Sequence, residues 1–226
     1  MRQGTDHLLA CAAKLTGEQL QAPSLLPGWR RSHVVGHLAR NAEALARLAA
    51  WARSGNENPM YAGPAQRAAE IEMSARTPAA VLRSELVTTA AALDDALTTL
   101  GAGAWAARVR SAQGRDIPAA EIPWMRIREV WIHAVDLGTG ATVGDFPPGV
   151  VDLLLDDATT VLSGKEGCPA VLLRPADRNR EWRLGPATAV ASTSLTAAAA
   201  ALAGWLTGRV AGSAIPGEAP DLPRWL

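Results

Sequence analysis

Apolar residues recur at spacings of three and four along most of the chain, and the breaks between those runs mark out helices. The first predicted helix spans roughly residues 3 to 16, with Gly17 after it. A second begins after LLPGW, where Pro27 and Gly28 break the chain and Ser32 offers a hydroxyl as N-cap. It runs to about Arg53, where SGNENP stops it. The third covers roughly 64 to 100, with a candidate interruption at Thr77-Pro78, because a residue before proline avoids helical backbone. Residues 105–118, WAARVRSAQGRDIP, read as extended segments around a glycine turn, a candidate hairpin. The fourth helix runs from about Ala119 or Pro123 to Leu137, with Gly138 as its stop. Four helices of this length predict a bundle.

After GATVGDFPPG the pattern changes. One helix is expected near 149–163, then short alternating segments AVLLRP, EWRLG and TAVAS, then an alanine-rich helix to Leu206. The fold class is therefore α+β: a four-helix bundle over 1–142 and a small α+β domain over 143–226. The turn-rich tail GSAIPGEAPDLPRWL is expected to be packed back by Trp225 and Leu226.

Composition narrows the partners. The 226 residues are 48% hydrophobic, enough for a core. Basic and acidic residues balance at 22 each, so no overall field attracts nucleic acid or an anionic membrane. A small-molecule ligand is the expectation, with the chain a monomer or weak homo-oligomer. Two cysteines, Cys11 and Cys168, give neither a disulfide framework nor a zinc cluster, and the default compartment is a reducing cytoplasm. The N-terminus lacks a signal-peptide pattern, and TAAAAALAGWL is too short to span a bilayer. P-loop, dinucleotide fingerprint, G-x-S-x-G and H-E-x-x-H motifs are missing, which removes support for those enzyme classes.

Chemistry concentrates on the fourth helix. At about 100° per residue, Glu129, His133 and Asp136 fall within about 60° of one another. Trp124, Ile127, Val130, Trp131, Ala134, Val135 and Leu137 fill the rest, and a helix apolar nearly all round is buried. A carboxylate buried there needs a cation, a metal or strong donors. On the second helix His37 and Asn41 sit at the edge of the apolar stripe, whereas His33 lies nearer the polar side. Two imidazoles and one carboxylate with an open position is how catalytic zinc is held. The competing reading is a buried Glu129–His133 pair with no metal. His33 and His7 read as helix-start or surface histidines, although His33 would complete a closed, structural site. The eight tryptophans read as packing anchors, and Pro59 to Tyr61 as a candidate lining of the cavity mouth. Arg209 reads as a surface residue, or as a carboxylate clamp if the small unit folds over the bundle.

The segments LPGWRRSHVVGHLARNAEAL, PMY, IPWMRIREVWIHAVDLGTG, GWLTGR and PDLPRWL, in that order across nearly the whole chain, resemble the mycothiol-dependent maleylpyruvate isomerase family of actinobacteria. The resemblance implies a DinB-like metal-binding four-helix bundle and a small C-terminal α+β domain. It implies a divalent metal, usually zinc, on His37, Glu129 and His133, mycothiol as thiol cosubstrate, and Arg209 as a residue needed for activity. It does not reach His33. The implied reaction is cis–trans isomerisation of maleylpyruvate by reversible thiol addition. A mycothiol S-transferase with the same metal site, and a non-catalytic metal-binding module, are the alternatives.

Overall fold

The structure, a computed structural model, describes residues 1–191 and 193–225. The chain divides into two compact units, Met1–Ala141 and Thr142–Leu226.

The first unit contains α1 (Arg2–Ala13), α2 (Gly17–Gln21), α3 (Arg31–Ser54), α4 (Pro64–Arg76), α5 (Ala79–Thr98) and α6 (Ile122–Asp136). Helix α3 packs against α4, α5 and α6, while α1 packs against α6 and α5, so that α1, α6, α3 and α5 close a four-helix ring. Leu38, Leu45 and Leu48 of α3, with Leu82, Leu86 and Leu93 of α5, are fully buried or nearly so at its centre. The third predicted helix is two helices: Thr77 is extended at φ −65° and ψ 142°, and Pro78 forces the break. The hairpin is present as β1 (Arg108–Arg110) and β2 (Asp116–Pro118), antiparallel, with Val109 opposite Ile117.

One connection sets the register of the site. Gly28, at φ +77°, turns the chain so that α3 starts at Arg31, and Ser24 N–H donates to the Trp29 carbonyl at 2.8 Å. The expected Ser32 cap does not form. Ser32 lies inside the first turn, buried with its hydroxyl unpartnered, and His33 Nδ1 instead accepts the Arg30 N–H at 3.1 Å. Arg31 reaches the end of α6, its Nε donating to the Leu137 carbonyl at 2.7 Å. Leu25 N–H donates to the Asp136 carbonyl at 2.9 Å. The start of α3 is thereby fastened to the end of α6. At about 1.5 Å of rise per residue, His37 then stands level with the stretch Glu129–His133.

The second unit contains α7 (Pro148–Ser163), β3 (Val171–Pro175), β4 (Trp182–Leu184), β5 (Thr193–Ala197) and α8 (Ala199–Leu206). The sheet order is β4-β3-β5, antiparallel between β3 and β4 and parallel between β3 and β5. Helix α7 packs on α8 and β4. The third strand is not the expected TAVAS. Pro186 opens a turn closed by the Ala189 N–H, and Val190 is exposed. The ladder forms instead at TSLTA, with Leu195 fully buried, and Ser192 lies outside the described residues. Trp225 is buried, and its carbonyl accepts from Lys165 Nζ at 2.8 Å; Leu226 also lies outside the described residues.

Candidate metal centre

Glu129 and His133 occupy successive turns of α6, and His37 faces them from α3. Glu129 Oε2 lies 2.9 Å from His37 Nε2 and 3.1 Å from His133 Nε2. The three side chains each offer one ligand atom, all within 4.8 Å of one another. The imidazoles of His37 and His133 meet edge to face, with centroids 4.9 Å apart. The His37 and His133 side chains are 4% and 13% exposed and that of Glu129 is 20% exposed.

Asp136, buried on the same helix, places Oδ2 2.8 Å from His133 Nδ1. His133 therefore has a carboxylate at each ring nitrogen. If its Nδ1–H donates to Asp136, a neutral ring turns the Nε2 lone pair towards Glu129 Oε2, lone pair against lone pair. Only a cation between them, proton or metal, makes the arrangement favourable. Two imidazole nitrogens and one carboxylate oxygen converging this way fit a divalent ion with positions left open.

Charge coupling follows the geometry. Burial opposes ionisation of Glu129, yet its contacts with His37 and His133 prevail and hold the carboxyl well below its usual range. Burial also disfavours protonation of His133, but the hydrogen bonds to Asp136 and Glu129 outweigh it and raise the pKa. In His37 burial wins and the pKa is lowered.

Several further residues surround this cluster; of these the sequence singles out Tyr61, as a candidate lining of the cavity mouth, and Trp29, as a packing anchor. Arg67 of α4 brings Nη2 to 3.3 Å from His37 Nδ1. Tyr61, half-buried, has its pKa raised by burial and by Glu129, against the pull of Arg67. The Trp29 ring packs edge-on to His37 at 5.7 Å. Arg126 is 1% exposed; its Nη1 donates to the Leu38 carbonyl and to Asn41 Oδ1, both at 2.8 Å, while Nη2 has no partner. Burial lowers its pKa to about 10. Helical projection does reach Arg126, one turn before Glu129 on the same strip. Nothing in the largely polar α4 singles out Arg67.

The remaining candidates lie elsewhere. His33 is buried but turned away, with Nε2 3.0 Å from Glu72 Oε2. His7 stacks on Trp131 with centroids 4.8 Å apart. Arg209 belongs to the second unit, just past α8, where Gly208 adopts φ +75° and Arg209 N–H donates to the Gly204 carbonyl at 2.7 Å. Its Nη1 donates to the Thr207 carbonyl at 2.5 Å.

Residues 1–138 match the family described as mycothiol maleylpyruvate isomerase N-terminal domain. The chain is similar to a crystal structure of the mycothiol-dependent maleylpyruvate isomerase, with 35% identity, a TM-score of 0.91, and coverage of 99% of this chain and 93% of that one. A structure of a histidine-to-alanine mutant of mycothiol-dependent maleylpyruvate isomerase matches with the same values. An uncharacterized protein of Mycobacterium tuberculosis, in strains CDC 1551 and H37Rv, is 29% identical over 141 residues, 61% of this chain. The chain spans about half the length of these curated relatives, 53%. With the family matched over 1–138 and the solved structure over almost the whole length, the chain belongs to the mycothiol maleylpyruvate isomerase family.

Proposed function

We propose that this chain is a metal- and mycothiol-dependent cis–trans isomerase, converting maleylpyruvate or a related unsaturated oxo acid to the trans isomer. The observation that carries the reading is the convergence of His37, Glu129 and His133 within 4.8 Å, in a chain similar over 99% of its length to the mycothiol-dependent maleylpyruvate isomerase. In this reading residues 1–142 hold the metal and residues 143–226 form the small α+β domain carrying Arg209. His37, Glu129 and His133 would hold a divalent ion, zinc for this donor set, and the bound ion supplies Lewis acidity that favours a thiolate and a polarised carbonyl.

The chain's own groups define the rest. Neither cysteine suits the nucleophile: both are buried, and burial pushes the Cys168 thiol up. The thiol therefore comes from mycothiol. Its addition across the cis double bond forms a carbon–sulfur bond and moves the π electrons onto the conjugated carbonyl as an enolate. The former double bond is then single and rotates. Return of the electrons expels the thiolate and leaves the trans alkene, with no net change in atoms. Asp136 keeps the Nδ1 proton of His133 in place, which leaves Nε2 free as a ligand. Arg209 pairs with a substrate carboxylate or the enolate oxygen.

Absorbance of maleylpyruvate, followed with zinc-loaded protein in the presence and absence of mycothiol, tests the reading. Thiol-dependent conversion with the thiol recovered is expected. Net consumption of thiol makes the chain an S-transferase, and no thiol-dependent change overturns the assignment. Arg209→Ala is expected to lose about tenfold or more in kcat/KM, as removal of a charge-assisted hydrogen bond does, and full retention removes Arg209 from the mechanism.

A further inference from the structure

Arg67 stands in a position that the metal reading makes unsustainable. A guanidinium only donates hydrogen bonds, so the 3.3 Å contact from Arg67 Nη2 requires His37 Nδ1 to accept. The His37 proton then sits on Nε2, towards Glu129. When Nε2 gives its lone pair to an ion, the ring must carry its proton on Nδ1 instead. Two donors would then face each other.

Charge points the same way. Glu129 and Asp136 supply two negative charges, and Arg67 and Arg126 two positive ones. Among the described residues neither guanidinium is in an ion pair with a carboxylate, and Arg126 keeps a buried Nη2 without a partner. A divalent ion on His37, Glu129 and His133 leaves this buried cluster with two positive charges in surplus. A thiolate answers one of them. A substrate carboxylate answers the other, at the half-buried Arg67 guanidinium.

We propose that Arg67 leaves His37 when the ion binds and then pairs with a carboxylate of the substrate beside the metal, as a positioning residue that selects anionic substrates. The proposal rests on the thiol-dependent reading of the site. Tyr61, which feels the charge of Arg67, lies beside the guanidinium at that position. Arg67 is half-buried on α4 and replaceable without opening the core.

The test uses Arg67→Gln and Arg67→Lys in the full chain, with circular dichroism as the check on folding. Zinc affinity, measured by chelator competition, is expected to rise several-fold in Arg67→Gln because a cation beside the ion is removed. A residue that merely props His37 gives the reverse, and weaker zinc binding overturns the proposal. Calorimetry of maleate, a cis-dicarboxylate, on the zinc-loaded protein is expected to show binding about tenfold weaker in Arg67→Gln and partly restored in Arg67→Lys. Equal maleate affinity in all three proteins, or no binding by the unsubstituted chain, also overturns it. Arg67-dependent maleate binding in a protein that isomerises nothing supports the carboxylate site and removes the isomerase reading alone.

Discussion

Replacing Asp136 by Asn keeps the size of the side chain and an oxygen to accept the His133 Nδ1 proton, and removes only the charge. That carboxylate is 2% exposed and 2.8 Å from the ring, so water cannot substitute for it. Partners of metal-bound histidines are typically worth about 10–100-fold in metal affinity, or about 1.4–2.7 kcal/mol. Zinc affinity of Asp136→Asn is expected to fall within that range in a chelator competition. The variant also has a signature without metal. The His133 pKa lies above its ordinary value of 6.5, with burial opposing and the Asp136 and Glu129 hydrogen bonds prevailing. A histidine raised on folding contributes stability fully present below about pH 6.5 and lost as pH rises through the folded pKa. Asp136→Asn should lower the His133 pKa seen by NMR and flatten that part of the pH–stability curve. Glu129 remains as a partner, so the effect is partial. Unchanged zinc affinity together with an unchanged His133 titration would refute the reasoning.

Further outcomes follow from the same geometry. His37→Ala and Glu129→Gln should each lose near-stoichiometric zinc on elemental analysis, and retention of metal in both would place the ion elsewhere. In metal-free protein, Glu129 carries a carboxyl depressed below its ordinary 4.5, so its contribution is present above that value and lost as pH falls through the folded pKa. Acid unfolding of Glu129→Gln should lack that component. Gly36→Ala puts a Cβ 2.5 Å from the Ser74 Cβ, where α3 and α4 touch. Overpacking there is expected to cost about 1–3 kcal/mol in a denaturant titration, and an unchanged midpoint would show that α4 shifts freely.

The helical ring was legible because its elements are long and amphipathic, with proline or glycine near their ends. His37, Glu129 and His133 stood out for a related reason: polar residues on apolar faces violate the pattern that surrounds them. Arg67 violates nothing, since α4 is polar on most of its surface and its relation to His37 exists only in three dimensions. Arg126 lay on the right strip but reads as an exposed ion-pair partner, because a fully buried arginine is uncommon. Ser32 looks like the cap by residue type, yet the turn at Gly28 begins the helix at Arg31, two residues earlier than a Ser32 cap requires, and His33 accepts the Arg30 N–H. TAVAS and TSLTA are both plausible strands, and only the parallel pairing with β3 chooses between them.

The break at Thr77-Pro78 has a dynamic consequence. It separates α4 mechanically from α5, and α4 buries only Ile71, Ser74 and Ala75 of its 13 residues, against 15 of 24 in α3. Local opening free energies follow buried contacts, so amide exchange in α4 should run ahead of that in α3. Opening of the helix that carries Arg67 is therefore expected to precede opening of α3, which holds His37.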